Sequence, residues 1–428
     1  SDVYKRQLHA NLPPNEQRRV FQPVGRAQRK VVIATNVAET SITIPDVCYV
    51  IDTGRVREAQ YDARAGVSRL LDTWASRAAC RQRAGRAGRT MAGACFRLYT
   101  RAMEAALQPA HSAPEMQRTP LEGVVLQVKA IQPDANVRTF LAQALDPPSL
   151  EALDAAHTRL VVAGALHTDG GHAARLTPLG RHVAMLPLDV RQAKLLVLAC
   201  LAGCVEPLLH VAALVAGRPI VASAAARDDG AARARAASLF GRSDLLTHAH
   251  LFAQWLTMRA ERRPGAEVRA FCERHGLSAV ALQEAALTRT TLLQQLEETG
   301  LVDRAYVQGY RAQGPAWPAR ASSLAYDAHS RHTNLLRSLL LAALWPSIAR
   351  VDQPAARYHA SASGAVRKDA HARELHYMDE HDGRVFLHPS SLLFHATESQ
   401  SGYVAFLSKS ARGPAGEARP RPLILNTL

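Results

Sequence analysis

Two short β-branched runs, VVIAT (residues 31–35) and CYVID (48–52), flank a polar loop in the stretch KVVIATNVAETSITIPDVCYVIDTG, residues 30–54. Apolar runs of this length, without alternation, fit strands buried on both faces of a parallel sheet. That places this part of the chain among the α/β folds. The loop between them carries Thr, Asn, Ser and Glu at the carboxyl end of the first strand, where open α/β sheets bind ligands. Hydroxyl and amide side chains there can bond phosphate oxygens without reading bases. The plainer reading is a capping loop in which Thr40 or Ser41 starts a helical turn.

Residues 55–71, RVREAQYDARAGVSRLL, alternate with period two on either side of DARAG, which predicts an antiparallel hairpin bearing Arg55, Arg57, Arg64 and Arg69. Such a hairpin is either a wedge between nucleic-acid strands or an ordinary solvated ribbon. Ser76 then serves as N-cap for a helix running through RQRAGRAGRT, residues 81–90. On that helix Gln82, Arg86 and Arg89 fall at i, i+4 and i+7 and share one face, with Arg83 off it. Gly85 and Gly88 remove bulk, so a partner can approach the backbone. A basic tail for nonspecific binding needs no such face. Two arginines and a glutamine converging suit a transferring phosphoryl group: the arginines offset developing charge and the glutamine orients a water.

The charge of the whole chain points the same way. The 428 residues carry 52 basic side chains and a formal charge of +15. Six are lysine and the remaining 46 arginine, the residue suited to bidentate phosphate contacts. A polyanion partner and a GC-rich genome both account for the excess. With 47% hydrophobic residues the chain can bury cores for two to four domains. The six cysteines show no CxxC pair, which fits buried thiols rather than zinc or disulfides. No apolar run of 18 residues and no signal peptide occur, so a soluble intracellular protein without a membrane partner is expected. The segment DVYKRQ, residues 2–7, resembles a translated library adaptor. Residues 1–7 are therefore expected to be a non-native leader outside the fold.

ATNVAETSITIPDV followed by QRAGRAGR resembles motifs V and VI of the DEAH-box RNA helicases of superfamily 2. LHANLPPNEQRRVF (8–21) resembles the segment preceding motif V. RTPLEGVVLQVKAI, FLAQALDPPSLEAL and LTPLGRHVAMLPLDVRQAKLL resemble the winged-helix and ratchet region of that family. The resemblance implies a multidomain chain: an α/β second RecA-like lobe over 8–105, a winged helix over 106–177 and a ratchet-like α-helical bundle over 178–300. A linker over 301–332 and a β OB-fold barrel over 333–428, open to truncation at its C-terminus, complete it. Within the bundle, residues 224–237 are expected to be a mobile surface loop. In the barrel the runs ARYHAS, ELHYM, RVFLH and YVAFL are expected strands. Tyr358, Tyr377, Phe386 and Phe394 are either core or base-stacking residues. His371, His376 and His381 recur every five residues, a period that suits no metal site, and are expected at the surface.

By the same resemblance Gln82, Arg86 and Arg89 would be catalytic and face the γ-phosphate of ATP, and Ser41 would sense the nucleotide. Thr35, Asn36 and Thr43 would lie along the RNA backbone. Arg55 and Arg57 would belong to a hairpin that separates or guides strands. Where many relatives place an acidic residue on the ribose, this chain has Pro45, followed by Asp46. No GxxxxGK[ST] occurs in the chain, so the phosphate cradle and the ligands of Mg2+ are expected in a first lobe outside it, and the chain alone is expected to be inactive. The reading is the C-terminal part of a monomeric ATP-dependent RNA helicase that moves 3′ to 5′ on single-stranded or structured RNA, with helicase cofactor proteins as further partners. The alternatives are a non-catalytic RNA-binding or scaffold protein retaining one lobe, and a DNA helicase.

Overall fold

Both β-branched runs form parallel strands in the computed structural model, which describes residues 3–9, 12, 14–25, 28–40, 43–62, 67–221, 229–313, 325–353, 357–361, 364–368, 374–380, 383–394, 396, 399, 401–412 and 421–427. The chain divides into two compact units, Ser1–Tyr61 with Ser68–Thr119, and Asp62–Val67 with Pro120–Leu428.

In the first unit the order is β1 (Val3–Leu8), α1 (Pro14–Arg18), β2 (Arg29–Ala34), α2 (Val37–Thr40), β3 (Tyr49–Asp52), β4 (Arg55–Asp62), β5 (Val67–Trp74), α3 (Arg77–Ala84), β6 (Ala94–Arg97) and α4 (Arg101–Leu107). β1 pairs in parallel with β2, from Val3 opposite Arg29 to Leu8 opposite Ala34. Residues 3–7, expected to stand outside the fold, are thus part of a sheet. Ladder bonds are made by the backbone, and the buried Leu8 anchors the strand's end. β3 pairs in parallel with β6, Tyr49 opposite Ala94 through Asp52 opposite Arg97. β4 and β5 pair with each other across residues 63–66, as the period-two pattern predicts. The expected burial on both faces is not observed: Val31 and Ile33 of β2 are 42% and 59% exposed, and one side of the β3–β6 pair is open, with Tyr49 and Ile51 each 69% exposed and Phe96 54%.

The second unit begins with α5 (Glu122–Ile131), α6 (Val137–Leu141), α7 (Leu150–Val162) and α8 (Pro178–Met185). Asn136, Ser149 and Thr177 cap the last three through their side-chain oxygens. Between α7 and α8 a turn through Gly170 and Gly171, both at positive φ, is closed by an antiparallel bridge of Leu166 with Leu176. Gly180 is required where α8 meets that turn, because a Cβ there would stand 1.9 Å from the Ala165 carbonyl oxygen. Among the described residues eight α-helices follow: α9 (Val190–Leu201), α10 (Val205–Ala216), α11 (Asp229–Ala237), α12 (Asp244–Ala260), α13 (Gly265–His275), α14 (Ala279–Glu298), α15 (Arg304–Gln313) and α16 (Thr333–Leu344). One core joins α9, α10, α12 and α16. A second joins α12, α13 and α14 around Phe252 and Trp255.

Two expectations fail in this unit. Residues 229–237 of the expected loop form α11, with Ala231 and Arg235 buried and Arg235 Nη1 donating to the His275 carbonyl at 2.7 Å. The described part of the expected 301–332 linker is packed. Buried Asp327 accepts from the Tyr306 hydroxyl at 2.7 Å, the Ser330 hydroxyl at 2.8 Å and the Glu206 amide at 2.7 Å. Burial raises the Asp327 carboxyl above its ordinary value, and these three donors act against that rise. Glycine and proline in the sequence mask this aromatic and acidic anchoring.

The chain ends in β7 (Ile348–Asp352), β8 (Arg357–Ser361), β9 (Gly364–Lys368), β10 (His376–Asp379), β11 (Gly383–Leu387), β12 (Tyr403–Arg412) and β13 (Arg421–Thr427). Five of them close a barrel in the order β10-β11-β13-β12-β7, and β8 pairs with β9. Tyr377 lies in the barrel core, so it cannot stack on a base; Phe386 is half-buried and Phe394 exposed. The side chain of Tyr358 lies outside the described residues, as do His371 and His381, while His376 is exposed on β10.

Asp244, the first residue of α12, fastens the barrel. Its buried carboxylate accepts from the amides of Leu392 at 2.8 Å and Thr427 at 3.1 Å, and from the Thr427 hydroxyl at 2.9 Å. Asp244→Ala would leave three donors without their acceptor, at about 1–3 kcal/mol for each that stays dry. A drop of several kcal/mol in denaturant-measured stability is expected, against a much smaller change for the exposed Glu298→Ala on α14.

Candidate functional site

Ser76 caps α3 as the sequence predicts, its hydroxyl accepting from the Ala79 amide at 3.2 Å. The helix does not run on through residue 90. It stops at Ala84, and the Gly85 amide turns back to the Arg81 carbonyl at 3.0 Å. Tighter bonds follow, from the Arg86 amide to the Arg83 carbonyl at 3.0 Å and from Ala87 to Ala84 at 3.2 Å. Each glycine costs a helix roughly 1 kcal/mol relative to alanine, and two within four residues end it. Gln82 is therefore exposed on the last turn of α3, while Arg86 and Arg89 sit in the turn beyond, and the expected single helical face does not exist.

What aligns the turn instead is the polar loop. Arg86 Nη2 donates to the Glu39 carbonyl, Arg89 Nη1 donates to the Thr43 hydroxyl at 2.6 Å, and the Thr90 hydroxyl donates to the Pro45 carbonyl. The polar loop between β2 and β3 and the arginine turn after α3 thus form one surface. Burial, and next the neighbouring Arg89 charge, push the Arg86 guanidinium below its usual value, with Glu39 acting in the other direction. Two guanidiniums set side by side favour an anion against them. Apart from Gly88 and its two chain neighbours, no atom of the described residues lies within 4 Å of where a Cβ would stand at Gly88. The close approach is at Gly93 instead, where a Cβ would lie 2.0 Å from the Ala87 carbonyl oxygen and 2.3 Å from that of Cys48. Only a missing side chain lets the turn return beneath the loop into β6, a requirement the local pattern does not announce.

Arg83, off the expected face, is the most deeply tied arginine of the motif. Nε meets Glu39 Oε2 at 3.0 Å, and Nη1 meets Asp52 Oδ1 at 3.0 Å and the Arg55 carbonyl at 3.1 Å. Asp52 is 3% exposed, and its Oδ1 also accepts from the Gly54 amide at 2.9 Å. Burial alone would lower the Arg83 guanidinium; the bonds to Glu39 and Asp52 outweigh it and hold it above its usual value.

Thr35 and Asn36 are exposed at the start of α2, where the Ala38 amide bonds to the Thr35 carbonyl and the Glu39 amide to that of Asn36. Thr43 is exposed but engaged by Arg89. Ser41 lies outside the described residues, as does Arg64. Asp46 pairs with Lys30 Nζ at 2.8 Å, and that ammonium also donates to the carbonyls of Val20 and Gln22. Arg55 lies over the Trp74 ring at 3.9 Å from its centroid, and Arg57 is exposed farther along β4. Among the described residues no group of three or more His, Cys, Asp or Glu could hold a metal. No helix among them is long and apolar enough to cross a membrane.

Arg83→Ala is expected to destabilise the first unit by about 3–5 kcal/mol, because it leaves a buried carboxylate without its counter-charge. Arg81→Ala, at an exposed position of the same helix, should stay within about 0.5 kcal/mol. Thermal unfolding of the two variants side by side checks this.

Residues 4–91 match the family described as the helicase conserved C-terminal domain. The chain is 47% identical to a DEAH-box ATP-dependent helicase of Mycosarcoma maydis, over 96% of this chain and 26% of that protein. It is 34% identical to an ATP-dependent RNA helicase of Homo sapiens, over 84% of this chain and 26% of the relative. It is also 34% identical to a DExH-box ATP-dependent RNA helicase of Arabidopsis thaliana, over 88% of this chain and 34% of the relative. The chain therefore spans about a quarter to a third of the length of these curated relatives.

Proposed function

The chain belongs to the DEAH/DExH-box helicase family, and from that premise we propose that it supplies the second RecA-like lobe and the accessory domains of an ATP-dependent RNA helicase moving 3′ to 5′. The observation that carries the reading is the adjacent pair Arg86 and Arg89, held by the motif V loop beside the open space at Gly88. ATP is the substrate whose γ-phosphoryl group this pair fits. Arg86 and Arg89 offset the charge that develops on that group, and the exposed Gln82 orients the attacking water. Mg2+ and the phosphate cradle belong to a first lobe. Thr35, Asn36 and Thr43 line the RNA backbone, with Arg89 tying Thr43 to the nucleotide side. Ser41, in the same loop, senses the nucleotide. Proline at position 45 has no side-chain group to bond a ribose hydroxyl, and the Asp46 that follows it pairs with Lys30. Arg55 and Arg57 put positive charge on a hairpin that guides or parts strands. The helices from α5 to α8 with their glycine turn are read as the winged helix, those from α9 to α15 as the ratchet-like bundle, and the five-stranded barrel as the OB-fold.

In the full-length protein, Arg86→Ala or Arg89→Ala should lower RNA-stimulated ATP turnover by roughly 10³-fold or more, the usual worth of an arginine finger, and leave RNA affinity nearly intact. Arg86→Lys should rescue poorly, since a point charge cannot reproduce the planar fork, and Arg81→Ala should change neither quantity. Turnover and RNA binding measured together decide it: weakened binding with turnover spared would make these arginines a generic basic surface. The chain on its own should bind single-stranded RNA with a log–log salt slope of about −0.7 per phosphate contacted. A binding constant that does not move between low and moderate salt would contradict that.

A further inference from the structure

We propose that Arg83 is a positioning residue that couples the nucleotide-facing turn to the base of the β4–β5 hairpin. The proposal rests on the reading above and adds to it a role for the arginine of the motif that does not face the open space at Gly88. One guanidinium joins three separate elements: α2 through the Glu39 carboxylate, the end of β3 through Asp52, and the first residue of β4 through the Arg55 carbonyl.

The hairpin base it reaches is tightly built. The Gly54 amide bonds to Asp52, and the Gly54 carbonyl accepts from Ala75 at 2.8 Å, just past the end of β5. The Arg55 guanidinium lies on the Trp74 ring, so both legs of the hairpin are clamped together at their root. Gly54 holds φ +70, and a Cβ there would meet the Tyr99 ring at 2.7 Å, so this joint has little freedom to flex by itself.

On the other side, Arg83 is bonded to Arg86 through the backbone, amide to carbonyl at 3.0 Å. A displacement of Arg86 toward a phosphate therefore acts on Arg83. Arg83 cannot follow alone, because leaving Asp52 would strand a buried carboxylate. The hairpin root moves with it. Three acceptors at 3.0–3.1 Å in different directions demand a fork; an ammonium can meet one or two of them but not hold all three.

The test uses the full-length protein, with Arg83→Lys and Glu39→Gln beside the wild type. RNA-stimulated ATP turnover, opening of a duplex with a single-stranded overhang, and thermal unfolding are measured on each. Arg83→Lys is expected to slow duplex opening about tenfold while turnover falls less than about threefold, within the range of coupling energies known for such networks. More ATP is then consumed per duplex opened, with the melting temperature close to wild type. Glu39→Gln keeps the Asp52 arm, and so the buried pair, and should shift the same ratio in the same direction by less; it decides the matter if Arg83→Lys does not fold. Proportional loss of both activities, an unchanged ratio, or a ratio that only follows the melting temperature overturns the coupling role. A wild type without ATP turnover, or turnover indifferent to Arg86→Ala, would instead bring down the functional reading and this proposal with it.

Discussion

The buried carboxylate of Asp52 is the constraint on which the first unit depends. It lies at the end of β3, where a parallel strand leaves its sheet, and it is closed to water. A carboxylate in that place is stable only if charge and hydrogen bonds meet it. Arg83 and the Gly54 amide do so, and each holds a different segment in a fixed position: α3 through the arginine, and the start of the hairpin through the glycine. The motif V loop enters the same arrangement by way of Glu39. The separation of roles within RQRAGRAGR follows. One arginine is neutralised inside the unit by carboxylates, while the two that follow the glycines bond to a carbonyl and a hydroxyl of the loop beside open space.

The second unit solves a similar problem with acidic groups at its joints. Asp327 gathers Tyr306, Ser330 and the amide at the start of α10, and Asp244 gathers the two barrel segments at Leu392 and Thr427. In both cases the carboxylate accepts from backbone amides and hydroxyls rather than from a cation. Such a joint is directional. It fixes the angle between the parts it connects, which apolar packing by itself leaves free.

Much of this is legible in the residues. The parallel strands, the hairpin, the Ser76 cap, most barrel strands and the family itself follow from local patterns, because β-branching, alternation and capping act over a few residues. The failures are of another kind. Periodicity puts Gln82, Arg86 and Arg89 on one helical face, but two glycines end the helix and the loop supplies the alignment. Arg83 looks expendable in the sequence because its partners, Glu39 and Asp52, lie 44 and 31 residues away. Gly93 is inconspicuous because the backbone it must clear belongs to Ala87 and Cys48. The packed stretch around Asp327 looks like a linker because glycine and proline mark irregular backbone, which is not the same as loose backbone. Apart from the helix end, which its own glycines set, these errors lie where a neighbour distant in sequence decides.

The uncovered side of the β3–β6 pair has a consequence for the behaviour of the chain in solution. Tyr49, Ile51 and Phe96 offer apolar area on strands of a kind normally covered on both faces, and such area drives self-association as concentration rises. The net charge of +15 opposes it by keeping molecules apart. Added salt removes that repulsion once the screening length falls to about 10 Å near 0.1 M, and it leaves the apolar attraction in place. Ionic strength therefore sets the balance between the two: each rise in salt weakens the repulsion and leaves the pull of the exposed strands as it was.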